Sequence, residues 1–218
     1  MAKNSRAKTV AKMKFSELAA QWILSVSHGV KESTLAHYRY TLERYLLPVF
    51  GSDRLSDLDE QRLEQGILQV ISAASGRHKP LGASSSRECL TMLRRICKYA
   101  AHLHLMRTVE VFVKLPQMES CQTKPFSAQE QAALREFVLA APTPRKVGLL
   151  LQMQLGLRIG EVCGLQWGDF DLKANVLTVR RTVSRIYCGI GCTKIVVQTP
   201  KTKSSGREIP IPYDLAAL

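Results

Sequence analysis

Several features are scarce or missing in this 218-residue chain, and each absence closes off a class of function. No stretch reaches the roughly 18 consecutive apolar residues of a bilayer-spanning helix, and no apolar segment of the kind a secretory signal carries follows the charged N-terminus. A cytoplasmic protein without a membrane partner is therefore expected. The cysteines (Cys89, Cys97, Cys121, Cys163, Cys188 and Cys192) show no paired Cys-x-x-Cys spacing, so neither a zinc site nor a disulfide framework is predicted. Cys188-Gly-Ile-Gly-Cys192 is the one tempting pair, and a loop with two free thiols is the better expectation. Internal repeats and low-complexity tracts are also lacking. Acid is scarce: 18 Asp and Glu stand against 31 Lys and Arg, a formal net charge of +13. That imbalance argues against a neutral substrate and points to a polyanion such as nucleic acid.

The charge is blocked rather than mixed. Residues 1–14 hold Lys3, Arg6, Lys8, Lys12 and Lys14 with no acid, and residues 77–107 hold Arg77, Lys79, Arg87, Arg94, Arg95, Lys98 and Arg107 against Glu88 alone. A third basic block covers 172–210, whereas residues 53–64 are locally acidic. Such blocks suit a surface laid along a phosphate backbone.

An apolar content of 45% is enough for real cores, and periodicity divides the chain. After a basic tail at 1–14, Phe15, Leu18, Ala19, Trp22 and Ile23 mark a helix to about Val26. Ser33 or Thr34 can cap a second, with stripe Leu35, Tyr38, Leu42, Tyr45 and Leu46, ending before Pro48. Its other face carries His37, Arg39 and Arg44. A third helix starts near Asp59 with Leu63, Ile67 and Val70. A fourth runs from Ser84 or Ser85 to about Leu103, with Cys89, Leu90, Leu93, Ile96, Cys97 and Ala100 inside and Arg87, Arg94, Arg95 and Lys98 outside. These make a four-helix domain over 15–115 with a basic face. Residues 116–125, bracketed by prolines, read as a linker.

A second domain over 126–218 opens on Ser127-Ala-Gln-Glu130, a capping box whose helix buries Ala133, Leu134, Phe137 and Val138. Val147–Leu155 reads as a buried apolar helix ended by a left-handed Gly156. After a short helix at 159–165, Val176–Thr182, Ile195–Gln198 and Glu208–Ile211 read as a small three-stranded antiparallel sheet, with Lys201–Gly206 as the turn between the second and third strands. The fold class is mainly α, followed by an α+β part.

Leu155-Gly-Leu-Arg158-Ile-Gly-Glu161, followed by Leu165-Gln-Trp167-Gly-Asp169, together with Lys201-Thr-Lys203-Ser-Ser-Gly206-Arg207, resembles the first half of a tyrosine recombinase (phage integrase) catalytic domain. The helices in front resemble that family's SAM-like, core-site DNA-binding domain. The resemblance implies that Arg158 grips the non-bridging oxygens of a scissile phosphate, for which a planar guanidinium offers two parallel donors. It also implies that Lys203, with Lys201 as rival, protonates the departing 5′ oxygen. Glu161 is read as orienting this neighbourhood and Asp169 as structural, a helix cap or turn residue serving equally well. The DNA-binding set is His37, Arg39, Arg44, Arg87, Arg94, Arg95 and Lys98.

The implied reaction breaks and rejoins double-stranded DNA through a 3′-phosphotyrosyl bond, which conserves the phosphodiester energy so that no cofactor or metal is needed. Its working assembly is four protomers on two sites, at the nucleoid. The family's His-x-x-Arg pair and tyrosine nucleophile are expected after the lysine turn, and none follows Lys203. His104-Leu-Met-Arg107 has the spelling but precedes Arg158, while Tyr187 and Tyr213 fall outside the nucleophile's place. With one turn of helix after Asp214, the chain is expected to be a truncated recombinase with apolar surface left uncovered. The alternative is a naturally short, non-catalytic module that occupies recombination sites. On a nicked suicide duplex these 218 residues are expected to trap no covalent protein–DNA adduct; an adduct mapped to Tyr187 or Tyr213 would overturn that reading.

Overall fold

The computed structural model describes residues 12–72, 80–117, 124–200 and 206–216. They divide into two compact units, one within Met1–Ser120 plus Tyr187–Cys192, the other within Cys121–Ile186 plus Thr193–Leu218.

In the first unit, helix α1 (Phe15–Ser27) buries Phe15, Leu18, Ala19, Trp22 and Ile23, the stripe its periodicity predicts. The Glu17 carboxylate closes its first turn by accepting the Lys14 backbone N–H at 2.9 Å. Helix α2 (Glu32–Thr41) starts earlier than its polar residues suggest, with Lys31 rather than Ser33 or Thr34 at the N-cap. Nor does it stop before Pro48. A π-turn at Leu42–Leu46 leads into α3 (Leu47–Phe50), where Pro48 sits in the first turn. Proline lacks an N–H and its ring crowds the carbonyl four residues back, so a wider turn just before it lets the helical path continue.

Helix α4 (Glu60–Ser72) is capped by Asp59, whose side chain accepts the Arg62 N–H at 2.7 Å. Helix α5 (Ala83–His102) buries all six predicted positions together with Met92 and Ser86, the latter hydroxyl donating to the Leu81 carbonyl at 3.3 Å. The core joins the stripes of α1, α2, α4 and α5 around Phe50, which packs on the Phe15 ring at 5.6 Å between centroids. Burial pushes the Cys89 and Cys97 thiols up to about 12, so both act as small hydrophobic core groups. The acidic stretch is used internally: Asp53 pairs with Arg62 at 2.7 Å, and Glu64 accepts the Phe112 N–H at 2.8 Å.

In the second unit, α6 (Ala128–Ala140) begins on the predicted capping box, Ser127 N–H to Glu130 Oε2 at 2.7 Å and Glu130 N–H to Ser127 Oγ at 3.3 Å. Its buried stripe is narrower than predicted. Val138 is buried and Leu134 half-buried, but Ala133 and Phe137 are exposed, and the Lys146 ammonium lies 4.2 Å from the Phe137 ring centroid. The core of this unit is small and reaches one line of α6. Helix α7 (Pro144–Leu155) starts before Val147, on a Thr143 cap, and ends as predicted on Gly156 with φ 64°. It is not buried all round: Gly148, Leu150 and Leu151 face inward, and Leu149 is exposed.

The sheet keeps its predicted count of three strands but exchanges one of them. Strands β1 (Phe170–Asp171), β2 (Val176–Val179) and β5 (Arg207–Pro210) form the antiparallel order β1-β2-β5, with Leu177 opposite Phe170 and Ile209, and Val179 opposite Arg207. The predicted middle strand belongs to a separate hairpin of β3 (Thr182–Gly189) and β4 (Cys192–Gln198). Tyr187 lies on β3. At the hairpin's tip Cys188 and Cys192 form a disulfide, which corrects the expectation of two free thiols; their Cα atoms lie 5.4 Å apart, an ordinary span for the bond.

Gly66 on α4 is a close-approach site, since a methyl group there would collide with the buried Phe50 ring and come within 2.7 Å of an Arg62 guanidinium nitrogen. Gly66→Ala is therefore expected to destabilise the first unit by about 1–3 kcal/mol through overpacking. Urea unfolding followed at the buried Trp22 would show the midpoint fall, and an unchanged midpoint would contradict the packing described.

Candidate functional site

Arg158 is the N-cap residue of the short helix α8 (Ile159–Val162), and its backbone is fixed on both sides. Before it, the left-handed Gly156 turns the chain sharply out of α7, a conformation in which any side chain is strained. Leu157, 4% exposed, anchors that turn in the core. After it, α8 lies so close to the start of β3 that only glycine fits at position 160, and the chain just past α8 runs tightly against Arg181. A Cβ at Gly160 would stand 2.5 Å from Thr182 Oγ1 and 2.8 Å from the Val183 carbonyl oxygen, and one at Gly164 would stand 3.2 Å from the Arg181 carbonyl oxygen. A side chain 71% exposed therefore projects from a rigid mount.

Beneath it lies Glu161, whose side chain is 3% exposed and which gathers four donors. One oxygen accepts the Arg158 backbone N–H at 3.0 Å and Arg207 Nη2 at 3.2 Å. The other accepts Arg158 Nη1 at 2.9 Å and Arg207 Nη1 at 3.3 Å. Burial pushes the carboxyl's pKa up, but the hydrogen bonds from Arg207 and Arg158 outweigh that and hold it below the ordinary glutamate value. The trio carries one negative and two positive charges, so a net positive charge faces outward through Arg158.

Asp169, also buried, is built the same way. It accepts the Gln166 N–H at 2.9 Å, capping the turn Trp167–Asp169, and Arg181 Nη1 at 2.6 Å. The same Arg181 nitrogen donates to the Gly164 carbonyl at 3.2 Å, so α8 is tied to the sheet region at its C-terminal end by Arg181 and at its N-terminal end by Arg207. Trp167, by contrast, is 91% exposed, at the edge of an apolar groove of about 640 Å³ lined by Val147, Leu151, Leu165, Phe170 and Ile211. Lys201 and Lys203 lie outside the described residues.

Arg207 and Arg181 were not singled out by the sequence. The available signal was strand alternation: Arg207 and Ile209 share the inward face of β5, and an arginine at an inward position implies a buried acid.

In the first unit, side chains bridge α2 and α5. His37 bonds Glu88, and Arg95 donates to the Tyr38 hydroxyl at 2.9 Å with its guanidinium 5.9 Å from that ring. Arg94 donates to the Val111 carbonyl at 2.5 Å, so part of its fork serves the fold. Arg39, Arg44, Arg87 and Lys98 are exposed. Arg87, Arg94 and Lys98 share one stripe of α5 at helical spacing, with Arg95 beside it.

No helix among the described residues is long and apolar enough to cross a membrane. The family description "Phage integrase, N-terminal SAM-like domain" matches residues 14–67. A putative prophage phiRv2 integrase of Mycobacterium tuberculosis (strain CDC 1551 / Oshkosh) is 27% identical over 204 residues, covering 92% of this chain and 49% of the relative. Tyrosine recombinase XerD of Corynebacterium glutamicum is 28% identical over 178 residues, 77% of this chain and 58% of the relative.

Among solved structures, the Tn1549 transposon integrase in complex with a circular intermediate DNA superposes with a TM-score of 0.71 at 17% identity, over 94% of this chain and 63% of that one. The lambda integrase tetramer bound to a Holliday junction gives a TM-score of 0.63 at 16% identity, over 93% of this chain and 56% of that one. The fold is integrase-like, and the N-terminal domain match together with these relatives supports a member of the tyrosine recombinase (phage integrase) family. It spans about half the length of the curated relatives it matches.

A carboxyl whose folded pKa is lowered stabilises fully above its unfolded value and loses that contribution as the pH falls through the folded one. The α8 amides are therefore expected to lose exchange protection as the pH is lowered through and below the ordinary glutamate range, and Glu161→Gln to flatten that dependence. Native-state hydrogen exchange of residues 161–164 checks this, and an identical acid limb in the variant would contradict it.

Proposed function

We propose that this chain supplies the DNA-binding part and the phosphate-gripping part of a site-specific recombinase that, in its complete form, cuts and rejoins duplex DNA through a 3′-phosphotyrosyl intermediate. One observation carries the reading: the guanidinium of Arg158 is exposed while its backbone is immobilised and a buried carboxylate fixes one of its nitrogens. A preorganised fork of this kind suits the two non-bridging oxygens of a phosphodiester and the extra charge of its pentacoordinate transition state, which a lysine could not match in geometry.

Residues 15–115 then serve as the core-site binding domain. Arg39, Arg44, Arg87 and Lys98 meet phosphates along the duplex, and His37, Arg94 and Arg95 contribute from positions already tied into the fold. Residues 126–218 serve as the start of the catalytic domain. Lys203, or Lys201 two residues away, protonates the leaving 5′ oxygen. The histidine–arginine pair and the tyrosine of the full reaction are not among these 218 residues. The working partners are double-stranded DNA and further protomers, by likeness to relatives whose solved forms hold DNA and, for lambda integrase, a tetramer on a junction.

Counterion release sets the expected binding behaviour. For the full chain on a duplex, log K is expected to fall steeply and linearly with log salt, and Arg87→Ala or Lys98→Ala to reduce the slope by about 0.9 for each phosphate no longer neutralised. Fluorescence anisotropy across a salt series measures it, and a flat titration would end the reading.

A further inference from the structure

Glu161 poses a problem for the function just proposed. A buried carboxylate next to an arginine that must attract a phosphate competes with that phosphate for the same positive charge. Left to themselves, Arg158 and Glu161 form a neutral pair, and the exposed guanidinium then offers a ligand geometry without net attraction. The structure contains a remedy. Arg207, on β5, places both terminal nitrogens against the two oxygens of Glu161, at 3.3 and 3.2 Å, from a side chain only 30% exposed. Arg158 reaches one carboxylate oxygen through a single terminal nitrogen at 2.9 Å and is 71% exposed. The half-buried arginine therefore takes the fork-to-fork position on the carboxylate, and the exposed arginine keeps the rest of its fork toward solvent.

We propose that Arg207 is a positioning residue that neutralises Glu161, so that Glu161 can orient Arg158 without cancelling the charge Arg158 presents to a DNA phosphate. The inference rests on the reading that Arg158 meets phosphate, and it adds a division of labour. Of the two guanidiniums on one carboxylate, the inner one balances charge and the outer one binds. Arg207 gains its place from the strand register, since β5 pairs with β2 residue for residue, Arg207 opposite Val179, and its inward face points to α8.

The test uses the full chain, a short duplex, and the slope of log K against log salt, with thermal melting as the control for folding. Arg158→Ala is expected to lower the slope by about 0.9, the value of one neutralised phosphate. If that substitution leaves the slope unchanged, the phosphate reading of Arg158 fails, whatever Arg207 does. Given a lowered slope at Arg158, Arg207→Gln is expected to lower it by a similar amount although Arg207 touches no phosphate, and Arg207→Lys to keep most of it because the charge survives.

The deciding variant is Glu161→Gln/Arg207→Gln, which removes one negative and one positive charge together and leaves no buried carboxylate short of a partner. It is expected to recover most of the slope that Arg207→Gln forfeits. A double variant that stays as weak as Arg207→Gln overturns the proposal in favour of direct phosphate binding by Arg207. An Arg207→Gln variant that melts earlier but keeps the wild-type slope overturns it in favour of a purely structural pair. Should Arg207→Gln fail to fold, the double variant alone decides, because a folded double variant with a lowered slope contradicts charge balancing.

Discussion

A single buried carboxylate organises the second unit. Glu161 has almost no solvent of its own, so its charge must be met by donors from the protein, and those donors come from three directions: the backbone just before α8, the Arg158 side chain, and β5. Removing any one takes away a hydrogen bond at a place where little water can substitute. The helix, the turn after α7 and the sheet are thereby locked to one another, and Gly160, which lets α8 lie on the β3 backbone, makes the lock close. Asp169 with Arg181 repeats the device at the other end of α8. Two acids and two inward arginines convert a four-residue helix, far too short to be stable alone, into a fixed mount.

Much of this was legible in the residues, for reasons that can be named. The stripes of α1, α4 and α5 came through because each helix buries one continuous apolar face and nothing interrupts its period. The α6 capping box came through because it is a local exchange between Ser127 and Glu130 that no tertiary interaction modifies. Gly156 came through because a left-handed helix end has essentially one residue that fits it.

What failed to come through is non-local. The run from Val176 to Thr182 reads as one strand, but Arg181 turns inward to Asp169 and Gly164, which ends β2 at Val179 and starts β3 at Thr182 in a different sheet. Proline at 48 reads as a stop because the usual helix has no room for it, and only the π-turn ahead of it supplies the room. Phe137 reads as core because it keeps the period, yet the neighbouring core is too small to reach it, and it stays exposed with the Lys146 ammonium beside its ring. In the candidate site, Arg158 and Glu161 were visible as a spaced pair. Arg207 was not, because 46 residues separate it from its partner and nothing but strand alternation hints that it faces in.

The pairing of β5 with β2 has one further consequence. Alternate residues of β5 face opposite sides, so a slip of one position would exchange the whole set, bringing Glu208 to the face that Arg207 now occupies. Two carboxylates would then approach each other beside Glu161, which has little solvent of its own to screen it. The misaligned sheet would be penalised by like-charge repulsion as well as by poorer packing, and the chain thus carries an electrostatic proofreader of its own strand alignment.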